Sequence, residues 1–303
     1  MSSSISIGSR RLCARSIFSK PSVSIVFWRL STNRVCRFAG CFQARRAVLS
    51  QLPVPFSYND LLGRRRFFVD AVRGGMAELC GEDARHLTRV LRSQAGQRYE
   101  ISDGQSAYLA EIAEARGLRV VFRVIEPLET PATPLHITLC AALIKFDRFE
   151  WIVEKATELG VERILPVEAE RSEKGLLEAS RKRTGRWARI ARESSQQSRR
   201  VRAPEIPPAV RFERSLAEEA DYRYFLEEGA APPLLRVLLA LPSCRTSASR
   251  AALLTGPEGG WTDAERQLAA AAGWQPVSLG PQVMRAETAA AAAIAVLVNA
   301  WIA

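Results

Sequence analysis

The sequence of 303 residues predicts an α/β fold, a parallel sheet with flanking helices, preceded by a small β-barrel. Three observations support this prediction. Short apolar segments with partial alternation fill residues 67–127, which is typical of barrel strands. Residues 128–134 are rich in Pro and Thr and indicate a linker. After the linker, a strand, a helix and a second strand follow in that order, which implies a parallel sheet with a right-handed crossover.

The first 63 residues are predicted to be a basic extension outside the folded domains. Residues 1–66 hold 12 Lys and Arg and one acid, Asp60, so their formal charge of +11 equals that of the whole chain. Residues 67–303 are therefore neutral, and net charge does not indicate a nucleic-acid partner. The Ser- and Arg-rich composition fits an organelle presequence, a disordered tail or residues upstream of the true start. We expect a cytoplasmic protein, or one of an organelle matrix if the presequence is real.

Composition argues against a membrane protein and against a metal site. No window reaches the roughly 18 consecutive apolar residues of a membrane-spanning helix, so no membrane partner is expected. The six cysteines form no CxxC pair and no zinc-ligand spacing, so no metal is expected. Unpaired thiols also fit a reducing compartment.

The barrel domain, predicted for residues 64–128, contains one helix at residues 82–92. Its apolar face would hold Ala84, Leu87, Val90 and Leu91, and another face would hold Arg85, Arg89 and Arg92. These arginines either contact RNA or form a solvated surface.

The second domain, predicted for residues 134–303, begins with the apolar run HITLCAALI, as a strand covered on both faces requires. The next helix has apolar residues at helical spacing from Phe149 to Leu159. Asp147 is its candidate N-cap, and Gly160 is expected to end it.

Residues 181–202 are predicted to form a strongly basic helix. They hold nine Lys and Arg and one acid, Glu193, while Trp187, Ile190, Ala191 and Ser194 recur at helical spacing. One face therefore packs against the protein and the other is positive. We expect this face to bind RNA phosphates, with a merely solvated surface as the alternative.

Two glycine turns follow apolar strands near the end of the chain. In LLTGPEGGW, residues 253–261, the three glycines are expected to take positive φ and to let the backbone approach a ligand closely. Thr262 then begins a helix, with Glu265 three residues later as in a capping box. A tight structural turn without a ligand is the alternative.

The second turn repeats this arrangement in VSLGPQVMRAET, residues 277–288. A strand ends at Leu279, Gly280 and Pro281 form the turn, and a helix rich in alanine begins at about Glu287. Because open α/β sheets bind ligands at the carboxyl ends of their strands, the two turns together indicate one composite pocket.

Five blocks of sequence, in order, resemble a known family. They are RFFVD with EDARHLTRVLR, KFDRFEWIVEKATELGVERILPVEAERS, RWARIARESSQQSRR, LLTGPEGGWTDAE and SLGPQVMRAETAAAAAI. From about Arg65 to its end, the chain is similar to the RsmE family of 16S rRNA uridine-N3 methyltransferases in the SPOUT class. The resemblance implies a PUA-like RNA-binding barrel, a trefoil-knotted α/β domain, S-adenosylmethionine as cofactor and a homodimer. The partner would be small-subunit rRNA or the assembled small ribosomal subunit.

The resemblance also implies which residues form the site. The cofactor would contact Leu254, Thr255, Gly256, Pro257, Glu258, Gly259, Gly260, Leu279, Gly280, Val283, Met284 and Thr288. Arg285, Glu287 and Glu258 are the catalytic candidates, and Trp261 would either stack on a base or pack in the core. The candidates for RNA binding are Arg66, Arg89, Arg92, Arg171, Arg183, Arg186 and Arg189.

Two other functions stay open at this point. One is a ribose 2′-O-methyltransferase, because that activity shares the knotted class, although the RFFVD barrel argues against it. The other is an RNA-binding module without catalysis, which the intact Gly256, Gly259, Gly280 and Arg285 disfavour.

Overall fold

The computed structural model of the protein describes residues 65–130, 133–241 and 247–302. The basic extension predicted for residues 1–63 lies outside the described residues. Within them, no helix is long and apolar enough to cross a membrane.

The amino-terminal domain is a six-stranded, mostly antiparallel sheet. Its strands are β1 (Arg66–Phe68), β2 (Val72–Arg73), β3 (Met76–Cys80), β4 (Arg98–Ser102), β5 (Ala107–Arg116) and β6 (Arg119–Leu128). They lie in the order β1-β4-β5-β6-β3-β2, and only the β1–β4 pair is parallel. Phe67, Ile101 and Phe122 of the strands and Leu87 of the helical segment are among the buried residues of the core of this domain.

The helix predicted at residues 82–92 is shorter and changes its winding. Helix α1 (Gly81–Arg85) continues into a π-helical turn, His86–Val90, in which the Leu91 N–H donates to the His86 carbonyl at 3.0 Å. Ala84 and Leu87 are buried as predicted, but Val90 is 66% exposed and Leu91 is 47% exposed. The prediction for these two was wrong because the wider turn breaks the 3.6-residue period on which it depended.

The second domain is built on a fully parallel six-stranded sheet, as predicted. Its strands are β7 (His136–Ala142), β8 (Arg163–Glu168), β9 (Val210–Arg211), β10 (Tyr222–Leu226), β11 (Arg250–Thr255) and β12 (Gln275–Val277). They lie in the order β12-β10-β11-β7-β8-β9. The carboxyl ends of β12, β10 and β11 are therefore neighbours, although long stretches of chain separate them.

Helices cover both faces of this sheet. They are α2 (Phe146–Glu158), α3 (Leu176–Ser180), α4 (Thr184–Gln197), α5 (Phe212–Ser215), α6 (Leu234–Leu239), α7 (Asp263–Ala271) and α8 (Ala286–Ile302). Alternate residues of β11 enter different cores: Leu253 packs with α2, α4, α6 and α8, whereas Leu254 packs with α5 and α7. Burial on both faces explains the nearly continuous apolar runs in the sequence.

The sequence predicted the carboxyl end of α2 correctly but not its amino end. Gly160 has φ 94° directly after the helix, as expected of a helix terminator. At the other end the N-cap is Lys145, which makes no side-chain cap, so the prediction of Asp147 as the cap was wrong. Asp147 lies inside the first turn, where a carboxylate still favours the helix dipole.

Candidate functional site

A cavity of about 310 Å³ opens at the carboxyl ends of β10, β11 and β12. Its walls come from the turn after β11, residues 256–262, and the turn after β12, residues 279–285, called here the first turn and the second turn. The ends of β10, α2 and α8 complete it. Its lining residues are Arg148, Leu226, Glu227, Glu228, Thr255, Gly256, Pro257, Glu258, Gly260, Trp261, Leu279, Gly280, Gln282, Val283, Met284, Arg285, Ala286 and Ala289.

The first turn is packed tightly onto Trp261. A Cβ atom on Gly256 would lie 3.0 Å from two atoms of the indole ring, so any other residue would require the ring to shift by a few tenths of an ångström. Trp261 is 2% exposed, stacks on Phe225 with ring centroids 4.8 Å apart, and donates its Nε1–H to the Leu226 carbonyl at 2.9 Å. Trp261 is thus part of the core, which decides between the two roles considered for it.

The glycines of the first turn serve two different purposes. Only Gly260 has a positive φ, 66°, so the expectation of left-handed backbone at Gly256 and Gly259 was wrong. Gly259 is needed for another reason, because a Cβ there would lie 3.2 Å from the Cβ of Arg171. Close packing, and not backbone conformation, explains these two glycines.

A shell of side chains holds the first turn in place. The Arg171 guanidinium donates to the carbonyls of Gly259 at 2.9 Å and Trp261 at 3.3 Å. Thr262 and Glu265 form the predicted capping box at the start of α7. Glu265 also accepts the backbone N–H of Glu170 at 2.9 Å. Contacts within the protein therefore fix this turn.

The second turn is held far more loosely. Just before it, Ser278 is anchored through its Oγ, which donates to the Ala231 carbonyl at 2.9 Å. Within the described parts of the chain, residues 279–284 make no hydrogen bond of their own. Gly280 has φ 126°, and Val283 is 76% exposed at the mouth of the cavity.

The charged side chains of the cavity fall into two pairs and two single groups. Arg148 forms an ion pair with Glu258, and Glu227 accepts from Arg266 Nε at 2.7 Å and Nη2 at 3.0 Å. The hydrogen bond with Glu227 raises the pKa of the Arg266 guanidinium above its usual value. Among the described residues, the cavity's Arg285 and Glu228 have no ion-pair partner.

Comparisons with known proteins match both domains. Residues 131–298 match a family model described as an RNA methyltransferase domain, and residues 79–125 match one described as an RNA methyltransferase PUA domain. The chain belongs to the RNA methyltransferase family.

Relatives of known sequence or structure agree with this membership. The chain is 36% identical over 222 residues to the Ribosomal RNA small subunit methyltransferase E of Synechocystis, covering 69% of this chain and 68% of the relative. A crystal structure of the Neisseria gonorrhoeae protein of that name, bound to S-adenosyl methionine, is 29% identical and superposes with a TM-score of 0.69 over 78% of this chain and 97% of that one. A putative methyltransferase from Legionella pneumophila, in complex with the cofactor SAM, gives 29% identity and a TM-score of 0.69 over 78% and 98%.

Most residues expected at the cofactor site of this RNA methyltransferase do line the cavity. Four predicted site residues do not: Leu254, Gly259, Glu287 and Thr288. Leu254 points into the core, Gly259 faces Arg171, and Thr288 is exposed on α8. Glu287 has one carboxylate oxygen, Oε2, buried without a hydrogen-bond partner among the described residues, and it does not line the cavity.

Sequence reasoning missed several residues of the cavity. Glu227 and Glu228 follow β10 in a segment that offered no clear pattern, and Arg148 lies in the first turn of α2. The signal for the two glutamates was available in principle, because they directly follow a strand of a parallel sheet. Neither histidine of the chain, His86 or His136, lines the cavity.

The arginines predicted to bind RNA are used in different ways by this member of the family. Arg66 is 6% exposed and donates to Glu100 at 3.0 Å and to the Arg199 carbonyl at 2.6 Å, so the structure does not present it to a ligand. It joins the two domains instead. Arg171 holds the first turn, as described above.

The basic helix α4 also uses part of its charge internally. Arg186 pairs with Glu150 at 2.6 Å and Arg183 with the same carboxylate at 3.6 Å. Arg192 donates to Asp83 of the barrel domain at 2.9 Å. Among the predicted RNA contacts, Arg89, Arg92 and Arg189 make no ion pair within the described residues. These three are the arginines still available to an anionic partner.

Proposed function

We propose that this chain transfers the methyl group of S-adenosylmethionine to N3 of a uridine in small-subunit ribosomal RNA. The observation that carries the proposal is that both predicted glycine turns line one cavity. The relatives of the chain, some of which are small-subunit rRNA methyltransferases by name, agree with it. Several relatives are named ribosomal RNA small subunit methyltransferase E, and one solved structure of that name contains the cofactor.

The cavity fits this cofactor in size and in chemistry. Its volume of about 310 Å³ lies in the range of small-molecule sites, and Leu226, Leu279 and Met284 give it apolar walls. Such walls suit an adenine ring. The unpaired Arg285 and Glu228 suit a ligand that carries both a carboxylate and positive charges.

The residues of the chain then have separate tasks in the reaction. Bound S-adenosylmethionine supplies a methyl group that is already an activated electrophile. The fixed first turn orients the cofactor, and the second turn closes the cavity against water. Arg285 stabilises negative charge that develops on the uracil oxygens as N3 loses its proton. Glu258, on the cavity wall, is the proposed proton acceptor, while Glu287, which does not line the cavity, is given no step in the reaction.

The test is methyl transfer in vitro followed by nucleoside analysis. Small ribosomal subunits from a strain that lacks this enzyme are incubated with the purified chain and S-adenosylmethionine, and the RNA is digested for mass spectrometry. We expect 3-methyluridine with the natural chain and at least a tenfold lower rate with Arg285→Ala, about 1.4 kcal/mol of transition-state stabilisation. Methyl groups on ribose would instead identify a 2′-O-methyltransferase, and no cofactor binding in calorimetry would leave an RNA-binding module.

We propose that RNA is bound through those of the predicted arginines that make no ion pair within the described residues, Arg89, Arg92 and Arg189. Each phosphate contact releases counterions, so its loss flattens the salt dependence of binding. Arg189→Ala should therefore lower the slope of log K against log salt by about one unit. Arg211→Ala, an exposed arginine at the far edge of the sheet, is the matched control and should leave the slope unchanged. An unchanged slope in both variants would move the RNA surface elsewhere.

A homodimer, a trefoil knot in the second domain and a cytoplasmic location are further parts of the proposal that rest on the family. Sedimentation equilibrium measures the dimer, and an experimental chain trace checks the knot. Mass spectrometry of the natural amino terminus shows whether residues 1–63 are present, which also decides between the cytoplasm and an organelle matrix.

A further inference from the structure

One carboxylate in the cavity stands apart from the others. Glu258 is paired with Arg148, and Glu227 is paired with Arg266 in a bidentate bond. The carboxylate of Glu228 has no hydrogen bond or ion pair within the described residues; only its backbone N–H is engaged, donating to Glu227 Oε1 at 3.2 Å. Glu228 thus contributes an uncompensated negative charge to the cavity.

This carboxylate, on an exposed residue, lies beside the first turn. Its Oε2 lies 3.7 Å from the point that a Cβ on Gly260 would occupy, so it lies against the bare backbone of the glycine turn. Glu228 also lines the same cavity as Arg285, the unpaired cation. The cavity therefore has one free group of each sign, with the negative one at the first turn.

The charge of the ligand changes during the proposed reaction. S-adenosylmethionine carries a sulfonium, an ammonium and a carboxylate, and its net charge is +1 at neutral pH. S-adenosylhomocysteine, the product, has lost the sulfonium charge and is neutral overall. An uncompensated carboxylate in the cavity stabilises the first ligand more than the second, because only the first carries the additional positive charge.

We propose that Glu228 is a specificity-determining residue that makes the cavity prefer the cationic cofactor over the neutral product. The inference rests on the proposed use of S-adenosylmethionine. The same charge then assists turnover: once the methyl group has left the sulfur, the attraction to Glu228 weakens and the product dissociates more easily. Glu228 takes no part in the chemical step itself.

The test compares three ligands on the purified full chain by calorimetry. They are S-adenosylmethionine, S-adenosylhomocysteine and sinefungin, in which a protonated amine on carbon replaces the methylated sulfonium and restores the positive charge. In Glu228→Gln we expect about two- to fivefold weaker binding of the two cationic ligands, the size measured for partly exposed ion pairs, and little change for the neutral one. In the same variant, the ratio of the product's inhibition constant to the KM of the cofactor should fall by the same factor, because only the KM rises.

Two further variants keep the result interpretable. Glu228→Asp retains the charge and should retain most of the preference, which excludes a general loss of structure. Glu213→Gln removes an exposed carboxylate on α5, outside the cavity, and should leave all three affinities unchanged.

Each outcome supports the inference or overturns it. An equal loss for all three ligands in Glu228→Gln would mean that the carboxylate binds a part common to them, such as the ribose hydroxyls, and would overturn the inference. Unchanged affinities would overturn it as well. Failure of the natural chain to bind any of the three ligands would instead contradict the proposed function, so the two failures are distinguishable.

Discussion

The two turns that form the cavity differ in how the protein holds them. The first turn is fixed from all sides, because Gly256 packs on Trp261, Arg171 binds its carbonyls and the capping box at Thr262 ends it. The second turn makes no hydrogen bond over residues 279–284 within the described chain and leaves Val283 at the surface. One wall of the cavity is therefore prepared before binding, and the other is free to adjust.

Because of this difference, we expect the two walls to contribute to ligand binding in different ways. A wall that is already ordered loses little conformational entropy when a ligand arrives, so it contributes affinity and orientation. A loosely held wall costs entropy to order, but it can open for exchange and close for reaction. Changes in the first turn should therefore reduce the stability of the protein, and changes in the second should mainly reduce ligand affinity.

The largest effect is expected for Gly256→Ala. The added Cβ meets the indole of Trp261 at 3.0 Å, and the ring cannot move because it is buried, stacked on Phe225 and hydrogen-bonded to Leu226. We expect the free energy of unfolding to fall by about 1–3 kcal/mol, as for overpacked cores, with a parallel loss of cofactor binding. Urea denaturation and calorimetry measure the two quantities.

Gly185→Ala is the matched control for this substitution. Gly185 lies in the first turn of α4, where an added Cβ meets nothing within 4 Å. Because alanine favours a helix at least as well as glycine, this variant should lose no stability. If Gly256→Ala is as stable as the natural chain, the first turn is not the rigid wall described here.

The sequence predicted those parts of the fold and the site that depend on local spacing. The two turns, the capping box of Thr262 and Glu265 and the alternation of β11 all follow from residues close together in the chain. The meeting of the turns in one cavity followed from the rule that parallel strands bind ligands at their carboxyl ends.

The sequence could not predict what depends on contacts between distant segments. Arg171 looked like an RNA contact because its charge is visible in the sequence, but its hydrogen bonds to residues 259 and 261 are not. In the same way, Arg66 is paired with Glu100 in the fold. Glu228 was missed because only the strand order β12-β10-β11 brings the end of β10 to the two turns.

Gly280→Ala tests the second turn at its most constrained residue. Its φ of 126° is unfavourable for alanine, although no atom lies within 4 Å of the added Cβ. Because the turn is loosely held, we expect it to relieve the strain by moving, with little change in unfolding. The turn must then return to its strained conformation to bind the cofactor, which costs about 1.4 kcal/mol. We therefore expect a cofactor Kd about tenfold higher. A loss of stability equal to that of Gly256→Ala, measured in the same denaturation series, would remove the distinction between the turns.

Arg171→Ala should have a smaller effect. It tests whether Arg171 supports the first turn or contacts RNA. It removes two hydrogen bonds to backbone carbonyls, which costs about 1 kcal/mol of stability and weakens cofactor binding severalfold. RNA affinity is measured in parallel, with Arg211→Ala, at the edge of the sheet, as the exposed control. If RNA binding falls while cofactor affinity stays constant, Arg171 is an RNA contact and the turn is held by its other bonds alone.

The smallest effect is expected for Val283→Ala, at the tip of the second turn. Because the side chain is 76% exposed without a ligand, its truncation should change the free energy of unfolding by less than about 0.5 kcal/mol. If the turn closes over the cofactor, however, the valine becomes buried and its loss should weaken binding about two- to fivefold. Calorimetry of the cofactor decides the point: an unchanged Kd would mean that the second turn stays open when the ligand is bound, and that the first turn alone determines affinity.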